Sequence, residues 1–522
     1  MIACIIGNKF SARVGIPTLF IFIALGMIFG SDGLLKIEFS DYALSEKICS
    51  TALIFIMFYG GFGTKWSTAK PVAAKSILLS TFGVLITACL TGLFCHLALG
   101  TSLLEGMLIG SVLGSTDAAS VFAILRSRRL NLKYGTASML EIESGSNDPC
   151  AYMMTVIILS AMDGSISAGN ILYSIFAQVV YGGAAGVLIA VIARIILKKF
   201  KFGSEGLDSV FLIAVGLASY AVPAVLGGNG YLSAYISGII LGNSEIPNKK
   251  GLVNFFDAFN NIMQMLIFFL LGLLVFPSQL PGVLLPSILI ALFMTFIARP
   301  AAVFLILTPF RAPIRQQLLV SWAGLRGAAS IVFAIVAATS PAYGDEKVFQ
   351  IVFCVVLISL LLQGTLLPLA AKKLKMIDDR ENVLKTFNDY SEETSVQFIR
   401  LEIGPGHPWI NRPLREIETL PGTLIAAVLR NEEALIPNGS TVFEEGDCVI
   451  LAAEEYTGKD GIALTERKIE AGNPLIGKKL RDIDLNDGAL VILIQRDGAD
   501  IIPDGESVVT EGDILVLYTE TD

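Results

Sequence analysis

Twelve apolar runs, most of them near the length a helix needs to cross a bilayer, fill the first 370 residues of this 522-residue chain. A spanning helix takes roughly 20 predominantly apolar residues. The runs fall at 17–31, 46–63, 75–99, 104–126, 136–161, 170–198, 208–226, 230–243, 254–276, 283–308, 315–340 and 347–370. Those at 17–31 and 230–243 are short, which suits tilted, re-entrant or broken helices. With 54% hydrophobic and only 16% charged residues, the chain falls in the membrane class. Residues 375–522 are rich in Asp, Glu, Lys and Arg and hold no run of spanning length. The sequence therefore predicts an all-α polytopic membrane domain over 1–375, a linker over 376–395, and a charged tail.

Basic residues sort the loops. Lys65, Lys70 and Lys75 separate the second and third runs, and Arg126, Arg128, Arg129 and Lys133 precede the fifth. Arg194, Lys198, Lys199 and Lys201 end the sixth, followed by Lys249 and Lys250, Arg311 and Arg315, and Lys372, Lys373 and Lys375. The alternate loops are nearly free of Lys and Arg. The positive-inside rule makes the basic loops cytoplasmic, and twelve spans then leave the tail there too. The opening "MIACIIGNKF" is too short to span and lacks a signal-peptide pattern. It reads as the stub of a truncated first span, followed by a turn with Lys9 and Arg13; a short surface helix is the alternative.

The seven Cys are scattered, and His96 and His407 lie far apart, so no metal site or disulfide framework is expected. There is no GxGxxG and no Walker A pattern, hence no sign of an ATP-driven pump or of a soluble-enzyme constellation.

Three segments place ionisable groups inside apolar runs. The first is "SMLEIESGSNDPCAYMM", Ser138–Met154, with Glu141, Glu143, Asn147 and Asp148. A charged carboxylate at mid-bilayer depth costs about 3 kcal/mol or more, so Asp148 must face a cavity, find a partner or take up a proton. Removing a carboxylate from water favours its neutral form, which lets such a group trade a proton for a cation. The plain alternative is a structural ion pair with Arg326. Glu143 and Asn147 are four residues apart and share a helix face, as do Ser144 and Asp148. Ser144 and Asp148 offer the oxygens that K⁺ and Na⁺ prefer. Gly145 permits close helix approach, and Pro149 removes a helix hydrogen bond. Glu141 lies nearer the cytoplasmic end, where water can reach it.

The second segment, "GSVLGSTDAASVFAIL" (110–125), holds Asp117 beside Gly114, Thr116 and Ser120. These residues weaken helix continuity, and a break exposes backbone groups able to hold an ion. Asp117 also suits a helix N-cap. The third, "SWAGLRGAASIVFAI" (321–335), buries Arg326, which stays charged and needs a carboxylate partner. Glu143 is the expected partner, leaving Asp148 free. "GSTDAAS" (114–120) and "GLRGAAS" (324–330) share Gly, Ala, Ala and Ser in register. They lie on the fourth and eleventh runs, an odd offset, so the helices run in opposite directions. Paired broken helices in inverted repeats are a recurring carrier design.

These motifs, in this order over roughly 1–375, resemble the monovalent cation:proton antiporters of the Na⁺/H⁺ exchanger superfamily, NhaP-like branch. The resemblance implies a homodimer in the bacterial inner membrane, with a scaffold and a mobile core holding two crossed broken helices. It implies Asp148 as the carboxylate that binds proton and cation in turn, Asn147 as its companion in electroneutral members, and Ser144 and Thr116 as ion-ligand candidates. It further implies Asp117 as the broken-helix acid and Glu143–Arg326 as a structural pair. Related members commonly have thirteen spans, and often an acidic residue where "MFYGGF" has Tyr59.

The tail repeats itself at a constant offset of 66 residues. "GHPWINRPLREI" (406–417) aligns with "GNPLIGKKLRDI" (472–483), and "IPNGSTVFEEGDCVILAA" (436–453) with "IPDGESVVTEGDILVLYT" (502–519). Each unit reads as a helix-like basic segment, short β runs, a PxG turn and an EGD turn. The pattern resembles two RCK_C (TrkA-C) domains, small α/β modules, at 396–456 and 462–522. Such modules dimerise and bind small effectors, cyclic di-AMP being one candidate here; dimerisation without a ligand is the alternative. No other cofactor and no nucleic-acid partner is expected.

The reading is a secondary antiporter that exchanges K⁺ or Na⁺ for H⁺ by alternating access, electroneutral because one carboxylate trades one H⁺ for one cation. A ligand-gated K⁺ channel is disfavoured by the lack of a TVGYG-like filter. A membrane-anchored effector sensor would need none of the buried ionisable motifs.

Overall fold

The computed structural model describes residues 2–7, 18–64, 66–127, 130, 132–164, 168–200, 206–377, 396–417, 419, 422–430, 433–454, 464–483, 490–496 and 499–518. Lys9, Arg13, Lys65, Arg128, Arg129 and Lys201 lie outside them; residues 2–7 are helical. The chain divides into two compact units, Met1–Val383 and Leu384–Asp522.

The first unit is helical: α1 (Thr18–Phe29), α2 (Tyr42–Gly63), α3 (Ala73–Leu99), α4 (Leu103–Val112), α5 (Ala118–Ser127), α6 (Thr136–Met162) and α7 (Ala168–Lys199). There follow α8 (Leu207–Val225), α9 (Gly230–Gly242), α10 (Lys249–Leu274), α11 (Pro277–Leu307), α12 (Ile314–Trp322), α13 (Ala328–Thr339) and α14 (Lys347–Lys373). Among the described residues, seven helices are long and apolar enough to cross a membrane: α2, α3, α7, α8, α10, α11 and α14, apart from a residue or two at their ends. The other five expected runs include the short α1 and α9 and the polar-centred α6. The remaining two are interrupted, as α4–α5 and α12–α13.

The interruptions follow from local chemistry. Residues 113–117 hold Gly114, a poor helix former, and Ser115 and Thr116, whose side chains offer alternatives to helical hydrogen bonding; residues 323–327 hold Gly324 and Gly327, also poor helix formers. Three long helices are instead widened by a π turn, at Leu79–Gly83 in α3, Met294–Ala298 in α11 and Ser359–Gly364 in α14. Such turns often mark functional sites. Helices meet through small residues, the usual device where lipid supplies no hydrophobic drive between them. A side chain on Gly61, Gly238 or Gly242 would collide with backbone across the α2–α9 contact.

The second unit holds two four-stranded antiparallel sheets. The first is built from β1 (Val396–Glu402), β2 (Leu424–Arg430), β3 (Glu433–Leu435) and β4 (Cys448–Glu454), ordered β1-β4-β2-β3. The second uses β5 (Leu464–Lys468), β6 (Leu490–Arg496), β7 (Ala499–Ile501) and β8 (Ile514–Tyr518), ordered β5-β8-β6-β7. The topology repeats with the sequence. Each copy has a small apolar core, Phe443 and Val428 in one, Ile494 and Leu515 in the other. The basic segments are not the helices expected of them. Among the described residues each forms a single 3₁₀ turn, Leu414–Glu416 and Leu480–Asp482. Pro408 and Pro413 in the first copy, and Pro474 and Gly477 in the second, deny a longer helix.

Candidate functional site

The two breaks meet. The Asp117 amide donates to the Leu325 carbonyl at 2.7 Å, and a side chain on Gly327 would strike Asp117. Asp117 precedes α5 and caps it: its carboxylate accepts from the Ser120 amide (3.2 Å) and the Ser120 hydroxyl (2.5 Å). The capping reading of Asp117 and the broken-helix reading are thus both realised at one residue.

Arg326 does not pair with Glu143 as expected. Its Nη1 donates to the carbonyls of Gly114 (3.0 Å) and Ser115 (2.8 Å), and its amide to Ser359 Oγ (3.1 Å). The carbonyls just past α4 have no helix to bond, and a helix C-terminus attracts a cation. Glu143 is paired instead with Arg299, whose Nη2 lies 2.6 Å from a Glu143 carboxylate oxygen. Both side chains are buried. Arg299 was missed in the sequence. The signal was present: an arginine in the middle of the 283–308 apolar run, immediately before Pro300.

Arg299 and Arg326 line one cavity with Thr295, Ser359 and Gln363. The π turns of α11 and α14 supply its uncharged polar side chains, Thr295, Ser359 and Gln363. Ser359 Oγ donates to Gln363 Oε1 (2.6 Å), and Gln363 Nε2 donates to Thr295 Oγ1 (2.8 Å).

Asp148 is buried, at 5% exposure, on α6. It accepts a hydrogen bond from the hydroxyl of Ser115, a residue of the first break that sequence reasoning passed over for its neighbour. Asn147 is fully buried; its amide nitrogen donates to Thr116 Oγ1 while its carbonyl oxygen has no hydrogen-bond partner. Ser144 Oγ donates to the Thr116 carbonyl at 2.8 Å. Asp148, Asn147, Ser144, Thr116 and Asp117 are therefore brought together where α6 faces the first break. Pro149 cannot donate to the Gly145 carbonyl, which loosens the helix at this point. Its own carbonyl accepts from Asn229 Nδ2 (2.8 Å), tying α6 to the start of α9. Gly145 is where the Tyr235 ring of α9 rests, and no side chain would fit there.

Tyr59, at the position where the resemblance led to an acidic residue being expected, donates its hydroxyl to Asp257 Oδ1 at 3.1 Å. A carboxylate thus stands beside it after all, supplied by α10.

The model of the family described as sodium/hydrogen exchanger, transmembrane, matches residues 1–373, and that of the TrkA-C domain matches 398–455 and 464–522. The K(+)/H(+) antiporter NhaP2 of Shewanella sp. (strain MR-4) is 36% identical over 451 residues, 85% of this chain and 78% of that protein. The K(+)/H(+) antiporter NhaP of Alkalimonas amylolytica is 32% identical over 455 residues, 86% of this chain and 78% of that protein. Among solved structures, the sodium proton antiporter MjNhaP1 from Methanocaldococcus jannaschii at pH 8 superposes with a TM-score of 0.63 at 25% identity, covering 72% of this chain and 97% of that one. A helical unit with two crossed helix breaks, followed by tandem TrkA-C sheets, makes this chain a member of the sodium/hydrogen exchanger family of antiporters.

Proposed function

We propose that the membrane unit exchanges K⁺ for H⁺, with Asp148 as the group that holds each in turn. One observation carries this reading. Both buried guanidiniums are engaged elsewhere, Arg299 by Glu143 and Arg326 by carbonyls, and among the described residues Asp148 pairs with no Lys or Arg. Its recorded partner is the neutral hydroxyl of Ser115. A buried carboxylate so placed needs a proton or a cation to be tolerated.

The oxygens around it suit a dehydrated monovalent cation: the Asp148 carboxylate, the unpartnered Asn147 carbonyl, and the lone pairs of the Ser144 and Thr116 hydroxyls. Charge counting supports one cation at a time. Glu143, Asp117 and Asp148 carry three negative charges against the two positive charges of Arg299 and Arg326, leaving one negative charge in excess. Either H⁺ or K⁺ neutralises it, so the two loaded forms carry equal charge and the exchange is electroneutral. Alternating access would then swing α6 and the crossed breaks against helices such as α2, α9 and α10.

The names of the bacterial relatives favour K⁺, and that of the solved neighbour keeps Na⁺ as the second choice. The basic loops orient the unit with its α2 C-terminus and its α6 and α10 N-termini in the cytoplasm, and the tail on the same side. The reading includes a homodimer in the inner membrane, a linker over 376–395, and a tail that regulates exchange by binding a small effector. The test is cation-induced proton flux in proteoliposomes with the membrane potential clamped at several values. The expected result is K⁺-evoked flux exceeding Na⁺-evoked flux and independent of potential. Current that follows voltage would instead support a channel.

A further inference from the structure

α10 is an apolar helix with a polar edge. Asn254, Asp257, Asn261 and Gln264 recur at spacings of three, four and three residues, which places them along one face. Asn254, Asp257 and Asn261 are exposed and Gln264 is half-buried. Asp257 lies eight residues past Lys249, the first residue of α10, about 12 Å along the helix axis. A carboxylate facing hydrocarbon at that depth is strongly unfavourable, so this face borders water.

Asp257 is also held in place. Tyr59 donates to it at 3.1 Å, and the Tyr59 ring stacks on Phe256, with centroids 6.5 Å apart and planes within 12°. Tyr59 lies four residues before the end of α2 at Gly63, at the same end of the unit as the start of α10. Two residues on from Tyr59, Gly61 lies against the backbone of Tyr235. The Tyr235 ring in turn rests on Gly145, three residues before Asp148. Successive contacts therefore lead from Asp257 to the helix that bears the exchange site.

We propose that Asp257 is a capture residue: a carboxylate, positioned by Tyr59, that draws cations into the cytoplasmic approach to Asp148 without taking part in the exchange step. The inference rests on the exchange reading above. A fixed negative charge beside a water-filled entrance raises the local cation concentration and hence the capture rate. It acts on KM for the cation, and leaves kcat to Asp148 and its neighbours.

The experiment is K⁺-evoked proton exchange in proteoliposomes over a range of K⁺ concentrations. If the wild type exchanges no cation, the reading beneath this inference falls. Given wild-type exchange, Asp257→Asn is expected to raise KM for K⁺ about three- to tenfold, the size of one charge acting through a largely aqueous path, with kcat within twofold. Asp257→Glu is expected to stay near wild type. An unchanged KM, or a loss confined to kcat, overturns the proposal. A readout independent of transport is thiol labelling of Asp257→Cys, in a chain whose seven native cysteines are replaced. In everted vesicles a membrane-impermeant thiol reagent should label it. Failure to label would place Asp257 against lipid or a second copy and overturn the proposal.

Discussion

The break at 113–117 carries an acid, Asp117, whereas the break at 323–327 carries a base, Arg326, although the two share Gly, Ala, Ala and Ser in register. Asp117 acts on its own side, capping α5 through Ser120. Arg326 acts across, donating to Gly114 and Ser115 beyond the end of α4. The Asp117 amide completes the exchange by donating to Leu325. The shared small residues permit two helices to stop and cross at one depth. The residue that differs decides which exposed ends are served. The difference teaches why Asp148 has no cationic partner among the described residues: Arg326, the base the sequence offers for it, is already spent on backbone carbonyls.

That account is broken most severely at the ion pair it displaced. Glu143→Gln would leave Arg299 charged and unpaired in the core, and is expected to cost about 3–5 kcal/mol. Adding Arg299→Met should recover most of the loss, as seen in thermal unfolding of the purified protein in detergent. A double variant no more stable than the single would mean that Glu143 is held by Arg326 instead.

Arg326→Lys asks whether two carbonyls need a guanidinium. An ammonium placed at one of them would leave the other unserved, so about 2 kcal/mol should be lost, with slower exchange. Equal stability would mean that water serves the break equally well.

The tail sharpens the contrast, because there both copies hold the same Arg–Asp ion pair. Arg430 forks onto Asp447 at 2.8 and 2.7 Å, and 66 residues later Arg496 forks onto Asp513 at 2.8 and 2.9 Å. Arg430→Met or Arg496→Met should each cost about 1–3 kcal/mol by leaving a buried carboxylate without its cation, with the donors of Glu444 or Thr510 left to it. The loss should be confined to its own sheet, read as hydrogen-exchange protection of β4 or β8. The arginine hydrogen bonds hold both carboxyls below the ordinary aspartate range. Their contribution is therefore complete above the unfolded value, near pH 4, and is lost as pH falls through the lower folded values. Protection of both sheets should stay level from pH 8 to 5 and decline only below about pH 4.

The smallest effect belongs to the cap. Asn caps a helix about as well as Asp, so Asp117→Asn should change stability by less than about 0.5 kcal/mol, whereas Asp117→Ala should cost about 1 kcal/mol. A large effect of the Asn variant on stability would show that the charge of Asp117, and not its capping geometry, holds the crossing together.

Much of this was legible in the chain itself. Apolar run length located the helices, Gly, Ser and Thr marked the first interruption, its likeness to 324–330 pointed to the second, and the 66-residue offset foretold two copies of one small module. Periodicity reports the faces of a single helix, but not which helix stands opposite. That is why Arg299, distant in sequence and within no motif, went unseen as the partner of Glu143. It is also why Ser115 was passed over for Thr116: adjacent residues in a break point in directions that no helical period describes. The basic tail segments misled for a local reason, since their charge resembled a helix surface while their prolines and glycine forbade one.

The central claim is that Asp148 is the exchanged site, and the most direct test compares K⁺-evoked proton flux in proteoliposomes of the wild type and Asp148→Ala, at matched protein content and thermal stability. The account predicts flux in the wild type and none above the protein-free background in a variant that remains folded. Exchange that persists in the folded variant would contradict it, and would move the search for the carrier to Asp117.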